Sequence, residues 1–266
     1  MRLDFTKMHG IGNDYIYLNC PHGAPEDPEA LAIKLSDRHR SVGGNGLVLI
    51  LPSEVADFRM RMFNSDGSEG AMCGNAIRCV GKYVYDNKMT DKTALSIETA
   101  SGIKTLQLHA EDGKVTLITV NMGAPVIDEE ELCLRVGKTE YRGLRISMGN
   151  PHFVTFCEDV RHQPVTTDGP FIEHLPCFPD RTNVEFVEVM GDHLRMRVWE
   201  RGSGETQACG TGACAAAVAA VTNGFFSKGR DVDVHLPGGV LTVNFDGDTV
   251  YMTGPAEKVF EGTIVL

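Results

Sequence analysis

The sequence predicts an α+β fold of two similar domains, each a mixed β-sheet wrapped around a central α-helix, with the active site in the cleft between them. Three observations support this prediction: an internal repeat, several short strands in each half, and one convincing long helix per half. A chain of 266 residues is long enough to form two domains that each bury a core.

The internal repeat consists of segments that match in the same order and at an almost constant separation along the chain. The matched pairs are Gly12-Asn13 with Gly149-Asn150, 58–63 with 194–199, Cys73-Gly74 with Cys209-Gly210, and 101–103 with 238–240. Several collinear matches favour duplicated structure over coincidence. We therefore predict domains at 1–122 and 123–257, with the tail 258–266 forming one more strand that returns to the first domain.

The strands and helices follow from the spacing of apolar residues. Short strands are predicted in the first half at 47–51, 95–99, 105–109 and 115–120. In the second half, the helix that follows Cys209, at 213–221, is almost wholly apolar and ends at Asn223-Gly224. A helix without a polar face is buried, so we expect the strands to surround it.

Charge and hydropathy exclude several classes of protein. With 36 acidic against 25 basic side chains, the formal net charge is −11, and no basic run offsets it, so we expect no nucleic-acid partner. No apolar stretch approaches the roughly 18 residues of a membrane-spanning helix. Residues 1–7 contain an acid and no apolar signal core. We expect a cytoplasmic protein whose eight cysteines are reduced.

Two of these cysteines, Cys73 and Cys209, occupy matched positions in the two halves. In each half a strand leads into a glycine-bearing loop, and the cysteine lies where the helix begins. The positive end of a helix favours thiolate over thiol, so we expect both pKa values to lie below the usual ~8.5. The same helix end can bind a carboxylate, and the glycine after each cysteine allows it to approach closely.

Two such cysteines on opposite faces of one carbon would form an acid–base pair. One thiolate removes the α-proton from one face, and the other cysteine, as a thiol, returns a proton to the opposite face. The pair shares one proton, so its titration belongs to the couple. This chemistry predicts a cofactor-independent racemase or epimerase of an amino-acid substrate, without pyridoxal phosphate.

Other interpretations of these residues fit less well. The remaining six cysteines are expected to be small core residues. No cysteine or histidine spacing is typical of a zinc site, so we expect no metal. The run at 210–215 matches the dinucleotide-binding pattern G-x-G-x-x-A, but a polar loop and Cys209 separate it from the preceding strand.

Over nearly its whole length the chain resembles the diaminopimelate epimerases. The matching segments are KMHGIGND (7–14), FNSDGSE (63–69), CGN (73–75), MGNPH (148–152), RTNVEF (181–186), ERGSGETQACGTG (200–212) and LPGG (236–239). The resemblance implies two domains, each a curved sheet around a helix, and a homodimer. It also implies conversion of LL-2,6-diaminopimelate to the meso form, for lysine and peptidoglycan synthesis, without pyridoxal phosphate.

The resemblance also implies roles for individual residues. By position, Cys73 and Cys209 would be the two bases, with His152 and Glu200 beside the reacting centre. The side chains implied to hold the substrate's two ammonium-carboxylate ends are Asn13, Asn64, Asn150, Asn183, Glu200 and Arg201, and the backbones implied to bind its proximal carboxylate are Gly74, Asn75, Gly210 and Thr211. Asparagine both donates and accepts hydrogen bonds, and arginine binds a carboxylate through two, so this set suits a zwitterion.

One loop departs from the family, and three alternative functions stay open. The family usually has Gly-x-Gly-x-Asp followed by Gly or Gln where this chain has SVGGNG at 41–46, so we assign that loop no role. A proline-racemase-like enzyme would use the same cysteines, but Arg201 and the asparagines indicate a second polar end on the substrate. A thiol redox protein is disfavoured by the absence of Cys-x-x-Cys. A non-catalytic amino-acid-binding module would not need both cysteines.

Overall fold

Eighteen β-strands and four α-helices make up the computed structural model, which describes residues 2–265 and, for Glu129, the backbone alone. Residues up to 120 together with those from 254 onward form one unit, and residues 121–253 form a second. Each unit has its own hydrophobic core.

Strands and helices follow one another in a similar order in both units. The first contains β1 (Arg2–Gly10), β2 (Asn13–Asn19), α1 (Pro28–Ser36), β3 (Gly46–Leu51), β4 (Phe58–Asn64), β5 (Glu69–Gly70), α2 (Gly74–Asp86), β6 (Ala94–Thr99), β7 (Gly102–Glu111) and β8 (Lys114–Gly123), whose end passes the boundary. The second contains β9 (Val126–Val136), β10 (Thr139–Ser147), β11 (Pro151–Phe156), α3 (Val165–Glu173), β12 (Asn183–Val189), β13 (His193–Glu200), β14 (Gly204–Glu205), α4 (Gly210–Thr222), β15 (Asp231–Leu236), β16 (Gly239–Phe245) and β17 (Val250–Gly254). The tail strand is β18 (Glu257–Val265).

Strand pairing repeats from one unit to the other. In the first unit, β1–β2 is antiparallel, β2–β3 parallel, β3–β4 antiparallel, β4–β6 parallel, and β6–β7 and β7–β8 antiparallel. In the second, β10–β11 is antiparallel, β11–β12 parallel, β12–β13 antiparallel, β13–β15 parallel, and β15–β16 and β16–β17 antiparallel. The tail strand β18 pairs with β1 as β9 pairs with β10. The predicted α+β class, with two similar halves built on mixed pairing, is confirmed.

The central helices α2 and α4 begin immediately after Cys73 and Cys209. In α4, residues 212–221 are all buried, as expected for a helix of small apolar residues without a polar face. The helix predicted at 213–221 therefore begins earlier, at Gly210. In α2 the side chains of Ile77, Val80 and Val84 are buried, whereas its last turn is more exposed.

Each unit also contains a second helix, whereas the sequence predicted only one convincing long helix per half. The helices α1 and α3 have 9 residues each, and Pro170 lies inside α3. Two turns are too few to show a clear helical period in a sequence. In the first unit the β2 side chains alternate between the two helices: Ile16 and Leu18 join the core beneath α1, while the Tyr17 hydroxyl reaches the Ala76 carbonyl of α2 at 3.4 Å.

Within residues 2–265, no helix is long and apolar enough to cross a membrane.

The start of β3 tests how tightly the sheet of the first unit is packed. A Cβ atom added at Gly46 would lie 2.0 Å from the Phe63 carbonyl oxygen, so the backbone would have to move. We expect Gly46→Ala to lower the free energy of unfolding by on the order of 1–3 kcal/mol, measured by urea denaturation. The matched control is Gly70→Ala, whose new Cβ would meet only the flexible side chain of Met62 at 3.1 Å. Equal stability of Gly46→Ala and the wild type would contradict this account.

Candidate active site

Cys73 ends an extended segment and caps the N-terminus of α2. Its backbone is extended, with φ −137° and ψ 119°, and its Sγ accepts a hydrogen bond from the Ala76 N–H at 3.5 Å. The Nδ2 of Asn13 lies 3.8 Å from the same sulfur. The half-buried Cys73 sulfur is therefore within reach of two N–H donors, an arrangement that suits a thiolate.

Cys209 has the same local geometry at the start of α4. Its backbone is extended, with φ −121° and ψ 110°, and its Sγ accepts from the Gly212 N–H at 3.3 Å. The Thr211 hydroxyl lies 3.6 Å from the sulfur. A Cβ added at Gly212 would lie 2.7 Å from Glu185 Oε1 and 3.2 Å from Cys209 Sγ, so a glycine is needed where these two groups crowd the helix.

The expectation that the helix N-terminus lowers both cysteine pKa values is wrong for Cys209. Burial raises the pKa of the Cys209 thiol well above its usual range, and the nearby carboxyl groups of Glu200 and Glu185 raise it further. The Thr211 hydroxyl and the Gly212 N–H act in the opposite direction but do not outweigh burial. Cys209 is only 5% exposed, and its raised pKa favours the thiol, the form that donates a proton.

Glu200 and His152 both belong to the surroundings of Cys209. Burial raises the pKa of the Glu200 carboxyl, although hydrogen bonds from the Thr206 hydroxyl and the Cys209 thiol lower it. Nearby His152 lowers that pKa as well. The structure thus brings the two predicted residues, Glu200 and His152, together with Cys209.

Glu185 is a member of this group that the sequence interpretation did not single out. Its side chain and that of His152 are both 0% exposed, and Glu185 Oε1 lies 2.7 Å from His152 Nδ1. Glu185 Oε2 is buried and has no hydrogen-bond partner. The signal in the sequence was an acid in the middle of the apolar strand β12, where a charge is costly unless it is paired.

In the first unit, Asn13 is held by the loop that departs from the family. Arg38 forms two hydrogen bonds to Asp14, at 3.1 and 2.7 Å, and donates a third to Asn45 Oδ1 at 2.9 Å. Asn45 Nδ2 in turn donates to Asn13 Oδ1 at 2.8 Å. Asn13 therefore turns its own Nδ2 toward Cys73.

Asn64 and Asn75 occupy different environments in the first unit. Asn64 is the last residue of β4, and its Nδ2 donates to Ser68 Oγ at 3.0 Å. Asn75 is buried in the first turn of α2, and its Oδ1 accepts from Arg78 Nη2 at 2.9 Å. Arg78, which is fully buried and also donates to Gly74 O at 3.2 Å, was not identified from the sequence.

In the second unit, Asn183 supports the backbone around it. Its Nδ2 donates to Pro151 O at 2.7 Å, and its Oδ1 accepts from the Arg201 N–H at 2.9 Å. The Arg201 guanidinium donates to Asp180 O at 2.9 Å. Asn183 therefore positions the start of the loop that carries Arg201.

The predicted carboxylate-binding backbones lie in the first turns of the central helices. Gly74 and Asn75 begin α2, and Gly210 and Thr211 begin α4. First-turn N–H groups have no acceptor within their own helix, and helix N-termini are common sites of anion binding. Among the side chains described for residues 2–265, no group of three or more His, Cys, Asp or Glu is arranged to hold a metal ion.

Comparison with solved structures identifies the fold. A phenazine biosynthesis protein of the PhzF family from Bacillus anthracis superposes with a TM-score of 0.80 at 19% identity and covers 100% of both chains. A hydroxyproline epimerase from Agrobacterium vitis gives a TM-score of 0.76 at 17% identity, over 99% of this chain and 92% of that one. The identities are low, so these structures share the fold alone.

Comparison with protein families and curated sequences is more specific. The family model described as diaminopimelate epimerase matches residues 5–127 and 144–259. The diaminopimelate epimerase of Acetivibrio thermocellus is 53% identical over 98% of each chain. That of Methanococcus maripaludis is 51% identical over 98% of this chain and 99% of its own. The chain belongs to the diaminopimelate epimerase family of isomerases.

Proposed function

We propose that the protein interconverts LL-2,6-diaminopimelate and meso-diaminopimelate in lysine and peptidoglycan biosynthesis. Cys73 and Cys209 serve as the two bases, and no pyridoxal phosphate takes part. The observation that carries the proposal is the matched geometry of the two cysteines. Each caps a central helix in its own unit and accepts a hydrogen bond from the N–H three residues later.

The reaction requires one thiolate and one thiol at a time. The thiolate takes the proton from the α-carbon, and the electron pair of the broken C–H bond passes toward the adjacent carboxylate. The thiol then donates its proton to the opposite face of the same carbon and becomes the thiolate. The number of protons on the pair is unchanged, so the reverse reaction uses the same groups with exchanged roles.

Charge on the substrate carboxylate is the main barrier to this chemistry. N–H groups at a helix N-terminus stabilise a developing negative charge without reorganising. We assign this role to Gly74 and Asn75 in α2 and to Gly210 and Thr211 in α4. The raised pKa of Cys209 favours its thiol form, so we assign the first proton donation to Cys209 and the first proton removal to Cys73.

The polar side chains select a substrate with a second zwitterionic end. Asn13, Asn64 and Asn150 can donate or accept, whereas Arg201 binds a carboxylate. His152 and Glu200 lie at the reacting carbon. Asn183 acts by positioning Arg201, since both of its amide groups already bond to the backbone.

The main competing function is racemisation of another amino acid by the same cysteine pair. The fold shared with a hydroxyproline epimerase supports that class of reaction. Proline and its derivatives have only one ammonium-carboxylate end and would leave Arg201 without a ligand. We therefore favour diaminopimelate.

Deuterium exchange and product analysis test the reaction itself. The purified, reduced protein, without added cofactor, should place solvent deuterium at the α-carbon of LL-diaminopimelate and form the meso isomer, because each turnover exchanges that proton. Mass spectrometry follows the deuterium and chiral chromatography separates the isomers. If no meso product forms while proline or hydroxyproline is racemised, the substrate assignment is wrong.

Substitution of each cysteine tests its role as one of the two bases. Cys73→Ala and Cys209→Ala should each lower the rate of epimerisation by about 10²–10⁴-fold or more, because each face of the carbon loses its acid–base group. Any residual deuterium exchange should occur without inversion and with opposite isomers in the two variants, because each keeps the base for one face. The exposed Cys133→Ala is the control and should keep full activity. Normal epimerisation by either active-site variant would contradict the two-base mechanism.

The mass of the protein in solution tests its oligomeric state. We propose a cytoplasmic homodimer, as the family resemblance implies, with no nucleic-acid partner. Val259 and Phe260 of β18 are 54% and 46% exposed, which is costly for apolar side chains in water. Light scattering after gel filtration should give twice the chain mass of 29.0 kDa. A mass equal to that of one chain at micromolar concentration would exclude the stable dimer.

A further inference from the structure

Glu185 is a buried carboxylate that the two-base mechanism does not use. It lies in β12, one strand away from His152 in β11, and their side chains point to the same face because parallel residues 152 and 183 are in register. Both side chains are 0% exposed, and Glu185 Oε2 has no partner. Burying a carboxylate is costly unless a positive charge compensates it, and His152 is the group placed to do so.

A chain of contacts leads from Glu185 to the sulfur of Cys209. Glu185 Oε1 is 2.7 Å from His152 Nδ1, and His152 Nε2 is 3.1 Å from Asn150 Oδ1. Asn150 Nδ2 is 3.2 Å from Thr211 Oγ1, which is 3.6 Å from Cys209 Sγ. Each of these distances is within hydrogen-bonding range, so the donors and acceptors along the chain depend on one another.

An ionised Glu185 would set the direction of the hydrogen bonds in this chain. A carboxylate only accepts, so His152 Nδ1 would then carry a proton. If His152 is an imidazolium, Nε2 also donates, Asn150 turns its oxygen to the ring, and its Nδ2 donates to Thr211. The Thr211 hydroxyl, having accepted that bond, is left to donate its own proton to the Cys209 sulfur.

A neutral His152 would reverse the direction of the hydrogen bonds between His152, Asn150 and Thr211. Its Nε2 would accept, so Asn150 would turn its Nδ2 to the ring and its Oδ1 to Thr211. The Thr211 hydroxyl would then donate to Asn150, and Cys209 would lose that donor. The two directions differ by one hydrogen bond to the sulfur.

We propose that Glu185 is a positioning residue that holds His152 as an imidazolium and thereby directs the Thr211 hydroxyl to the sulfur of Cys209. The bond stabilises the thiolate that Cys209 becomes after giving up its proton. The inference rests on the proposed role of Cys209 as one of the two bases. It gives Asn150 a role besides substrate binding. The orientation of the Asn150 amide links the protonation of the His152 ring to the direction in which the Thr211 hydroxyl donates.

A simpler role for Glu185 predicts the opposite effect. Considered only as a negative charge, Glu185 raises the pKa of Cys209, as Glu200 does from β13. Replacing Glu185 by glutamine would then lower that pKa. If Glu185 acts through His152 and Thr211, the same replacement raises the pKa, because the ion pair becomes a neutral pair and the hydroxyl turns away.

The experiment compares the ionisation of Cys209 in the wild type and in Glu185→Gln. The full-length reduced protein is alkylated with iodoacetamide over a range of pH without substrate, and peptide mass spectrometry follows Cys209 and Cys73 separately. We expect the Cys209 midpoint to rise by about one pH unit, a tenfold change in the ionisation constant. The Cys73 midpoint should shift by less than the Cys209 midpoint, because the chain of contacts from Glu185 ends at Cys209. Glu188→Gln, which replaces another buried acid of β12, is the matched control and should shift neither midpoint.

A second variant tests the same chain from its other end. Thr211→Val removes the hydroxyl and should raise the Cys209 midpoint by a similar amount, even if Glu185→Gln does not fold. In Thr211→Val the added Glu185→Gln change should have no further effect on the midpoint, because both act on one bond. In ¹⁵N spectra, His152 should be an imidazolium in the wild type and in Thr211→Val, and neutral in Glu185→Gln.

The outcomes separate this inference from the proposed function. A lower or unchanged Cys209 midpoint in Glu185→Gln overturns the inference, as does a neutral His152 in the wild type. These measurements use no diaminopimelate, so they are unaffected by a failure of the substrate assignment. Conversely, epimerisation of diaminopimelate with no shift at Cys209 would leave the proposed function intact and exclude this role for Glu185.

Discussion

The buried N-terminus of each central helix is the constraint on which the rest of the structure depends. The first N–H groups of a helix have no acceptor within the helix, and when the helix end is buried they cannot hydrogen-bond to water instead. In both units the sulfur of the preceding cysteine accepts one of them, from Ala76 in α2 and from Gly212 in α4. We propose that the remaining first-turn groups bind the substrate carboxylate. Capping by the cysteine and the proposed anion binding would then share the first turn of each central helix.

Burial and the helix end act in opposite directions on Cys209. Partial positive charge at a helix N-terminus contributes typically 0.3–1 kcal/mol and about 2 kcal/mol in favourable buried sites. Removing a charged group from water costs several kcal/mol. The thiol form of Cys209 is favoured because the second effect is larger, and the neighbouring acids Glu200 and Glu185 add to it. If Cys209 acts as a base, as we propose, its thiolate needs further donors, and the Thr211 hydroxyl and the Gly212 N–H lie beside its sulfur.

The parts of the fold that the sequence predicted are those with a strong local signal. The strands at 47–51, 95–99, 105–109 and 115–120 are present, each within slightly longer limits. The helix after Cys209 was visible because its apolar run is long and uninterrupted. The helices α1 and α3 were missed because two turns, with Pro170 inside α3, resemble a loop in a local window.

The sequence by itself determined the family, the α+β class and the two matched cysteines, because these follow from residue identity and order along the chain. Tertiary structure alone decided which acids are buried beside Cys209 and in which direction its pKa is shifted. It also decided that Asn183 holds the backbone of Arg201 and that Asn45 holds Asn13. Burial and hydrogen bonding depend on residues that are distant in the chain. Their combined effect on a pKa or on a side-chain position therefore cannot be predicted from a local sequence pattern. The helix-capping cysteine is thus a local feature, whereas its protonation state is a property of the folded unit.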